Sequence, residues 1–431
     1  MLPEFSVTCG LSTAPGYFRF REANCFGRWS ETGAPASMRP SQDAWELADG
    51  ERGKVTLPFD LSEVITNLRL ERYARASHRP TWLARMIREV YYLLRPMMRV
   101  SFRKHLQRLR LRGWQEIAFP QWPVDLCVDN LMRIAMELAL RSGSVDRIPF
   151  VWFWPEGAPT ATIVTHDVEG STGLRFCDEL MDIDDSFGAK SAFQLVPELR
   201  DTTYRSFEHI RSRGFEANLH DLNHDGHLFD SREEFLARAE RISGYAREFD
   251  SRGFRTAGMY REQDWFDALD ISYDMSVPNV AHMEPQRGGC CTVMPYFNGR
   301  ILELPLTTVQ DYSLFHILGD YSTTLWKQQM ELIESRNGLI TILTHPDYLI
   351  ERRARAVYCE LLDYVRQLQE QNRTWVALPG DIDAWWRSRN EMRIVGDAGA
   401  WRIEGPDAER ARLAFAELRD GRLQYRLEAA A

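Results

Sequence analysis

Two short stretches of this 431-residue chain combine residue types that can do hydrolytic chemistry. Thr165-His166-Asp167-Val168-Glu169 sets two carboxylates one residue apart, and about fifty residues later His220-Asp221-Leu222-Asn223-His224 sets two imidazoles at i, i+4. On an extended segment, side chains two residues apart point to the same side, so Asp167 and Glu169 can work on one centre. A catalytic metal of the zinc type takes three N or O ligands and leaves one position open for water. Two histidines and one of the two acids satisfy that count, and the other acid can reach the bound water as a general base.

The surrounding pattern shows what must position these groups. Short apolar runs that read as buried parallel strands occur at Ala161–Thr165, Ser191–Val196, Phe215–His220, Gly253–Ala257, Tyr273–Val277, Ile301–Pro305, Leu339–Thr344 and Thr374–Leu378. Helical patterns lie between them at Leu174–Phe187, Thr203–Ser212, Arg232–Phe249, Leu325–Ser335 and Arg352–Gln369, and Ser231 with Glu234 offers a capping box. Seven or eight such units favour a closed or nearly closed α/β barrel, whose active site lies at the C-terminal ends of its strands. Asp167, His220, Arg255 and His345 all fall there.

These residues resemble the polysaccharide deacetylases of the NodB homology type over residues 160–390. The first motif of that family, in its spaced form, is similar to Thr165–Glu169. Its His-x-x-x-His motif is similar to His220–His224, its Arg motif to Gly253-Phe254-Arg255, and its Leu-x-His motif to Leu343-Thr344-His345. The resemblance implies an irregular (β/α) barrel and metal-assisted amide hydrolysis. It assigns Glu169, His220 and His224 as metal ligands, Asp167 as general base, Arg255 as the group that keeps that base ionised and oriented, and His345 as general acid. The implied cofactor is a divalent metal, zinc first, although such ligands also accept cobalt, nickel or manganese. Arg261 is the alternative to Arg255, and both Asp264-Trp265 and Tyr273-Asp274 are candidates for the family's Asp-Trp element.

Other conspicuous residues have plainer readings. His166 and His227 match no motif and are expected to pack or to support the ligands from behind. Asp221 and Asp225 could orient the histidines or simply belong to a turn. Trp385-Trp386-Arg387 and Trp152-Phe153-Trp154 could stack on a sugar, but packing against the barrel is the preferred reading.

The expected organisation is an N-terminal α+β extension over residues 1–150, a barrel over 151–391 and a small appendix over 392–431. Within the last, an Ala-rich helix is expected near Glu409–Leu418. Residues 1–60 read as short strands and turns, and Ser62–Gly113 as helical. Between Arg85 and Arg112, nine basic residues face the lone acid Glu89. This segment could touch anionic lipid head groups or an anionic glycan precursor, although pairing within the chain is preferred.

With 53 Lys and Arg against 62 Asp and Glu, the net charge of -9 gives no general reason to bind nucleic acid. Seven cysteines without a C-x-x-C pair read as reduced, mostly buried thiols. Neither a secretory signal nor a membrane span is visible, so the expected setting is cytoplasmic and the expected substrate an acetylated saccharide or lipid-linked saccharide precursor. The expected activity is removal of an N-acetyl, or less readily an O-acetyl, group from a sugar. The alternatives are a C–N hydrolase of a small amide or cyclic ureide, and an inactive glycan-binding or assembly protein.

Overall fold

The computed structural model describes residues 2–30, 43–51, 53–77, 111–396 and 401–428. The helical repeat expected from Leu83 and all but the last two residues of the basic segment Arg85–Arg112 lie outside these described residues.

The N-terminal part is built as its turn-rich sequence predicts. Strands β1 (Glu4–Val7), β2 (Gly16–Phe20), β3 (Ala23–Gly27), β4 (Asp49–Glu51) and β5 (Lys54–Leu57) form a three-stranded sheet and a hairpin. Helix Leu61–Arg69 follows, with Asp60 accepting hydrogen bonds from the Ser62 and Glu63 amides. Their apolar faces share one core with helix Cys127–Arg141 and Cys291.

After β6 (Arg147–Val151) the chain builds the barrel. Its strands are β7 (Thr160–Val168), β8 (Ala192–Leu195), β9 (Glu216–His220), β10 (Gly253–Arg255), β11 (Tyr273–Asp274), β12 (Tyr296–Asn298), β13 (Ile301–Glu303), β14 (Leu339–Thr344) and β15 (Thr374–Val376). The order is β12-β13-β11-β10-β9-β8-β7-β14, parallel apart from β12, with β15 beside the start of β7. All eight expected strands are present.

The segment that follows β13 meets β14, the last strand at the opposite end of the order, through hydroxyl groups. Thr307 Oγ1 donates to Leu339 O (2.8 Å), Thr308 Oγ1 to Thr341 O (2.7 Å) and Thr341 Oγ1 to Pro305 O (2.7 Å), while the Thr341 amide donates to Thr307 Oγ1 (2.9 Å). Side chains thus satisfy the groups that a regular strand ladder would have paired. The result is the irregular α/β barrel expected from the sequence.

Alternation along each strand decides what faces inward. Val164 and Val168 of β7, Ala217 and Leu219 of β9, Phe254 of β10, and Ile340 and Ile342 of β14 join the core beneath the surrounding helices. Their neighbours face the barrel axis. Ala161, Ile163, Leu339, Leu302 and Tyr273 close its lower end with Trp154, Trp385 and Trp386. The inward positions further up β7, β9, β10 and β14 are Asp167, His220, Arg255 and, one residue past the strand, His345.

The barrel and the N-terminal part are tied together by buried polar contacts. Glu71 pairs with Arg261, Tyr73 donates to Gly289 O (2.6 Å), and Asp129 accepts from Thr292 Oγ1 (2.8 Å). Gly289, at φ +142°, lies so close to Asn279 that a Cβ would meet its carbonyl oxygen.

The C-terminal residues differ from expectation. Leu413–Arg419 forms strand β18 rather than an Ala-rich helix, after the hairpin β16 (Arg393–Val395) and β17 (Arg402–Glu404). It pairs with β19 (Arg422–Leu427) on one side and β6 on the other. Ala414, Phe415 and Ala416 are fully buried there, and this packing overrides the helix propensity of alanine. The thiols of Cys25, Cys127, Cys177, Cys290 and Cys291 are buried and free, as read from the sequence.

Candidate active site

The first two acids arrive from β7. Asp167 is its last inward residue and is almost fully buried, while Glu169 lies just beyond the strand with its side chain partly open to solvent. His166 points the other way. Its ring bonds Thr344 Oγ1 (2.8 Å) and Asp184 Oδ2 (3.0 Å), and Asp184 also accepts from Tyr358 and Ser191. That network packs β7 against two helices, in line with the packing role read from the sequence.

His220 ends β9. The chain then turns back through left-handed backbone at Asp221 (φ 56°) and His224 (φ 60°), so the His pair is joined by a loop and its rings lie 5.0 Å apart. Asp and His tolerate this region better than most residues. Asp221 stabilises the turn by accepting from the amides of Leu222 (2.6 Å) and Ala257 (3.1 Å). Asp225 accepts from the His227 amide (2.9 Å) and Arg238 (2.7 Å), and His227 pairs with Asp230 (2.7 Å).

Glu169 Oε1 lies 3.0 Å from His224 Nε2, 3.9 Å from His220 Nε2 and 3.5 Å from His345 Nε2. One ligand atom each from Glu169, His220 and His224 falls within a cluster 4.8 Å across. The chemistry of this donor set fits a metal. His220 Nδ1 lies 3.1 Å from Arg255 O, and a carbonyl can only accept, so Nδ1 carries a proton, and the neutral ring presents the lone pair of Nε2 to the cluster. That Nε2 is buried and has no hydrogen-bond partner among the described residues. A buried acceptor facing a carboxylate is costly unless a cation sits between them.

Arg255, at the end of β10, joins the two halves of the site. Its Nη1 donates to Asp167 Oδ1 (2.8 Å) and Thr165 Oγ1 (3.0 Å), its Nε donates to Met275 O (2.9 Å), and its own carbonyl receives His220. Burial pushes the Asp167 carboxyl up, but the guanidinium of Arg255, helped by His220 and His345, outweighs it and holds the carboxyl below its ordinary range. For Glu169, burial is likewise outweighed by His224 and by the other two imidazoles around it, which hold it well below the ordinary value. Arg261, the alternative arginine, is engaged with Glu71 instead.

His345 follows β14. Asp311, which sequence reasoning did not single out, accepts from both its Nδ1 (2.7 Å) and its amide (2.7 Å). Burial alone would depress the imidazole, yet the Asp311 charge raises it well above its ordinary value. Asp311 precedes an unusual π-helical turn, Tyr312–Leu318, in an interval where the sequence shows neither strand nor helix period. No spacing signal marks it.

The remaining candidates are placed elsewhere. Trp265 packs on Phe235 (5.5 Å) and Phe229 (6.2 Å), while Asp274 accepts from the amide (2.9 Å) and hydroxyl (2.7 Å) of Ser276. Trp385, Trp386, Trp152 and Trp154 are buried, as the packing reading expects.

Fold and site together define an α/β barrel protein with a carboxylate and imidazole cluster at the strand C-terminal ends. No family model matches the sequence, and no curated protein sequence does. Among solved structures, similar chains include one assigned as a polysaccharide deacetylase from Mycobacterium smegmatis, at 17% identity and TM-score 0.45, covering 58% of this chain and 98% of that one. Another is Puue allantoinase, at 13% identity and TM-score 0.44, covering 54% and 92%. A further chain assigned as a polysaccharide deacetylase, from Pseudomonas aeruginosa PAO1, has 13% identity and TM-score 0.43, covering 54% and 93%.

Proposed function

We propose that this chain is a metal-dependent hydrolase that removes an acetyl group from the nitrogen of an acetylated amino sugar. The observation that carries the reading is the meeting of three differently tuned groups at one point. These are the Asp167 carboxylate held by Arg255, the His220 Nε2 beside Glu169 and His224, and His345 with its Nδ1 on Asp311.

A divalent metal held by Glu169, His220 and His224, zinc being the simplest choice, would polarise the acetyl carbonyl and acidify a water when bound. Asp167 accepts the proton from the attacking water, and Arg255 keeps its carboxylate ionised and aimed. His345 donates its Nε2 proton to the nitrogen as the C–N bond breaks, because an unprotonated amide nitrogen is a poor leaving group. Asp311 accepts from the opposite ring nitrogen and so fixes the orientation of the acid. Acetate and a free amine are the products.

The substrate class extends to a lipid-linked saccharide precursor. Contact with an anionic surface through residues 85–112 belongs to the same proposal. Among the described residues, no helix is long and apolar enough to cross a membrane.

Acetate release by zinc-loaded protein from N-acetylglucosamine oligomers tests the reading, with simple amides and cyclic ureides run beside them. Turnover of the oligomers supports it, and turnover of the ureides alone overturns it.

Asp311→Asn is expected to lower kcat/KM about 10–100-fold near neutral pH. The sign follows from the raised value of His345: the active protonated form persists below that value and is lost as pH rises through it. Without the Asp311 charge the alkaline limb of the kcat/KM profile moves to lower pH. An unmoved limb would show that His345 is not the titrating acid.

A further inference from the structure

The position of the sugar rests on the hydrolase reading, which fixes where the rest of the substrate must lie. The nitrogen that receives the proton from His345 stays bonded to the sugar. The sugar ring therefore sits on the His345 side of the metal cluster, within reach of the elements around that imidazole.

Those elements carry an aromatic wall. Tyr348, on the short helix Pro346–Leu349 that starts at His345, has its ring centre 5.1 Å from the His345 ring. Its ring also lies 5.7 Å from Tyr312 and 4.9 Å from His316, which are themselves 5.4 Å apart on the π-helical turn that Asp311 begins. Tyr312 and Tyr348 are both partly exposed.

Beside them lies a carboxylate. Asp347 is partly exposed and packs against Gly173, where a Cβ would collide with its oxygen. Aromatic faces match the apolar C–H faces of a pyranose, and a carboxylate accepts from its hydroxyls. The π-helical turn sets Tyr312 tilted against Tyr348 and the buried His316 edge-on to both, and such turns recur at functional sites.

We propose that Tyr348 and Tyr312, with the Asp347 carboxylate, form the subsite that holds the sugar ring bearing the acetylated nitrogen, the buried His316 packing behind the two tyrosines. The subsite selects a saccharide over a small amide, because a substrate without a ring leaves the wall unused.

The test measures binding of N,N′-diacetylchitobiose by calorimetry to zinc-loaded protein carrying Asp167→Asn, so that bound sugar is not consumed. Adding Tyr348→Ala is expected to weaken Kd about five- to tenfold, the scale of one aromatic contact. Tyr348→Phe, which keeps the ring, should stay within about twofold of the parent. Tyr312→Ala, on a separate element, should weaken Kd in the same direction, and melting of each variant reports its folding. An unchanged Kd in both alanine variants overturns the subsite, as does the absence of any chitobiose binding to the parent. Ring-dependent binding without acetate release by the unsubstituted chain would keep the subsite while overturning the hydrolase reading.

Discussion

Asp167→Asn is expected to lower kcat/KM for acetate release about 10²–10⁴-fold while leaving the metal content unchanged. The substitution keeps the shape of the side chain and its contact with Arg255, but removes the lone-pair basicity that accepts the proton of water. The geometry makes the second half of this expectation a sharp one. Asp167 Oδ2 lies 3.8 Å from His220 Nε2, close to the 3.9 Å between His220 Nε2 and Glu169 Oε1, so either acid could in principle complete the ligand set. What separates them is the partner of each. Asp167 is bound by a guanidinium that would repel a cation, whereas Glu169 faces His224 at 3.0 Å and, among the described residues, pairs with no arginine. Kinetics and elemental analysis on one preparation check this. Joint loss of metal and activity in Asp167→Asn would exchange the roles of the two acids.

Arg255→Met is expected to destabilise the metal-free protein by about 3–5 kcal/mol at neutral pH. The guanidinium is fully buried and bonds Thr165, Asp167 and the Met275 carbonyl, so its loss leaves a buried carboxylate without its main counter-charge. The pH dependence follows from the depressed value of Asp167 in the folded chain. A depressed carboxyl contributes stability that is present above its unfolded value, about 3.9, and is lost as pH falls through the folded one. The deficit of Arg255→Met should thus be largest at neutral pH and shrink in acid, where Asp167 takes up a proton in the variant. Urea unfolding at a series of pH values measures it, and an equal deficit at every pH would mean that packing, not charge, sets the role of Arg255.

Much of this was legible in the sequence because parallel strands buried on both faces must be apolar runs, which are easy to see. The runs at Ala161, Phe215 and Leu339 became β7, β9 and β14, with helices between them where the period changed. The inward positions of Asp167, His220, Arg255 and His345 then followed from alternation along each strand. What stayed hidden depends on tertiary contact. Asp311 is one acid among many until its carboxylate is seen on His345. The aromatic wall comes from Tyr348 and from a π-helical turn whose spacing fits no common period. Leu413–Arg419 favours a helix by composition and becomes a strand only because β6, more than 260 residues earlier, offers an edge. Hydroxyl closure between Thr307, Thr308 and β14 has no sequence signature either, since threonine is at home in any strand.

The most direct test of the central claim is elemental analysis of purified protein, comparing the unsubstituted chain with His220→Ala and His224→Ala. The account predicts about one transition metal per chain, retained through gel filtration and lost in both variants while each still folds. A chain that takes up no metal even after reconstitution, or that keeps it equally well in both variants, would contradict it.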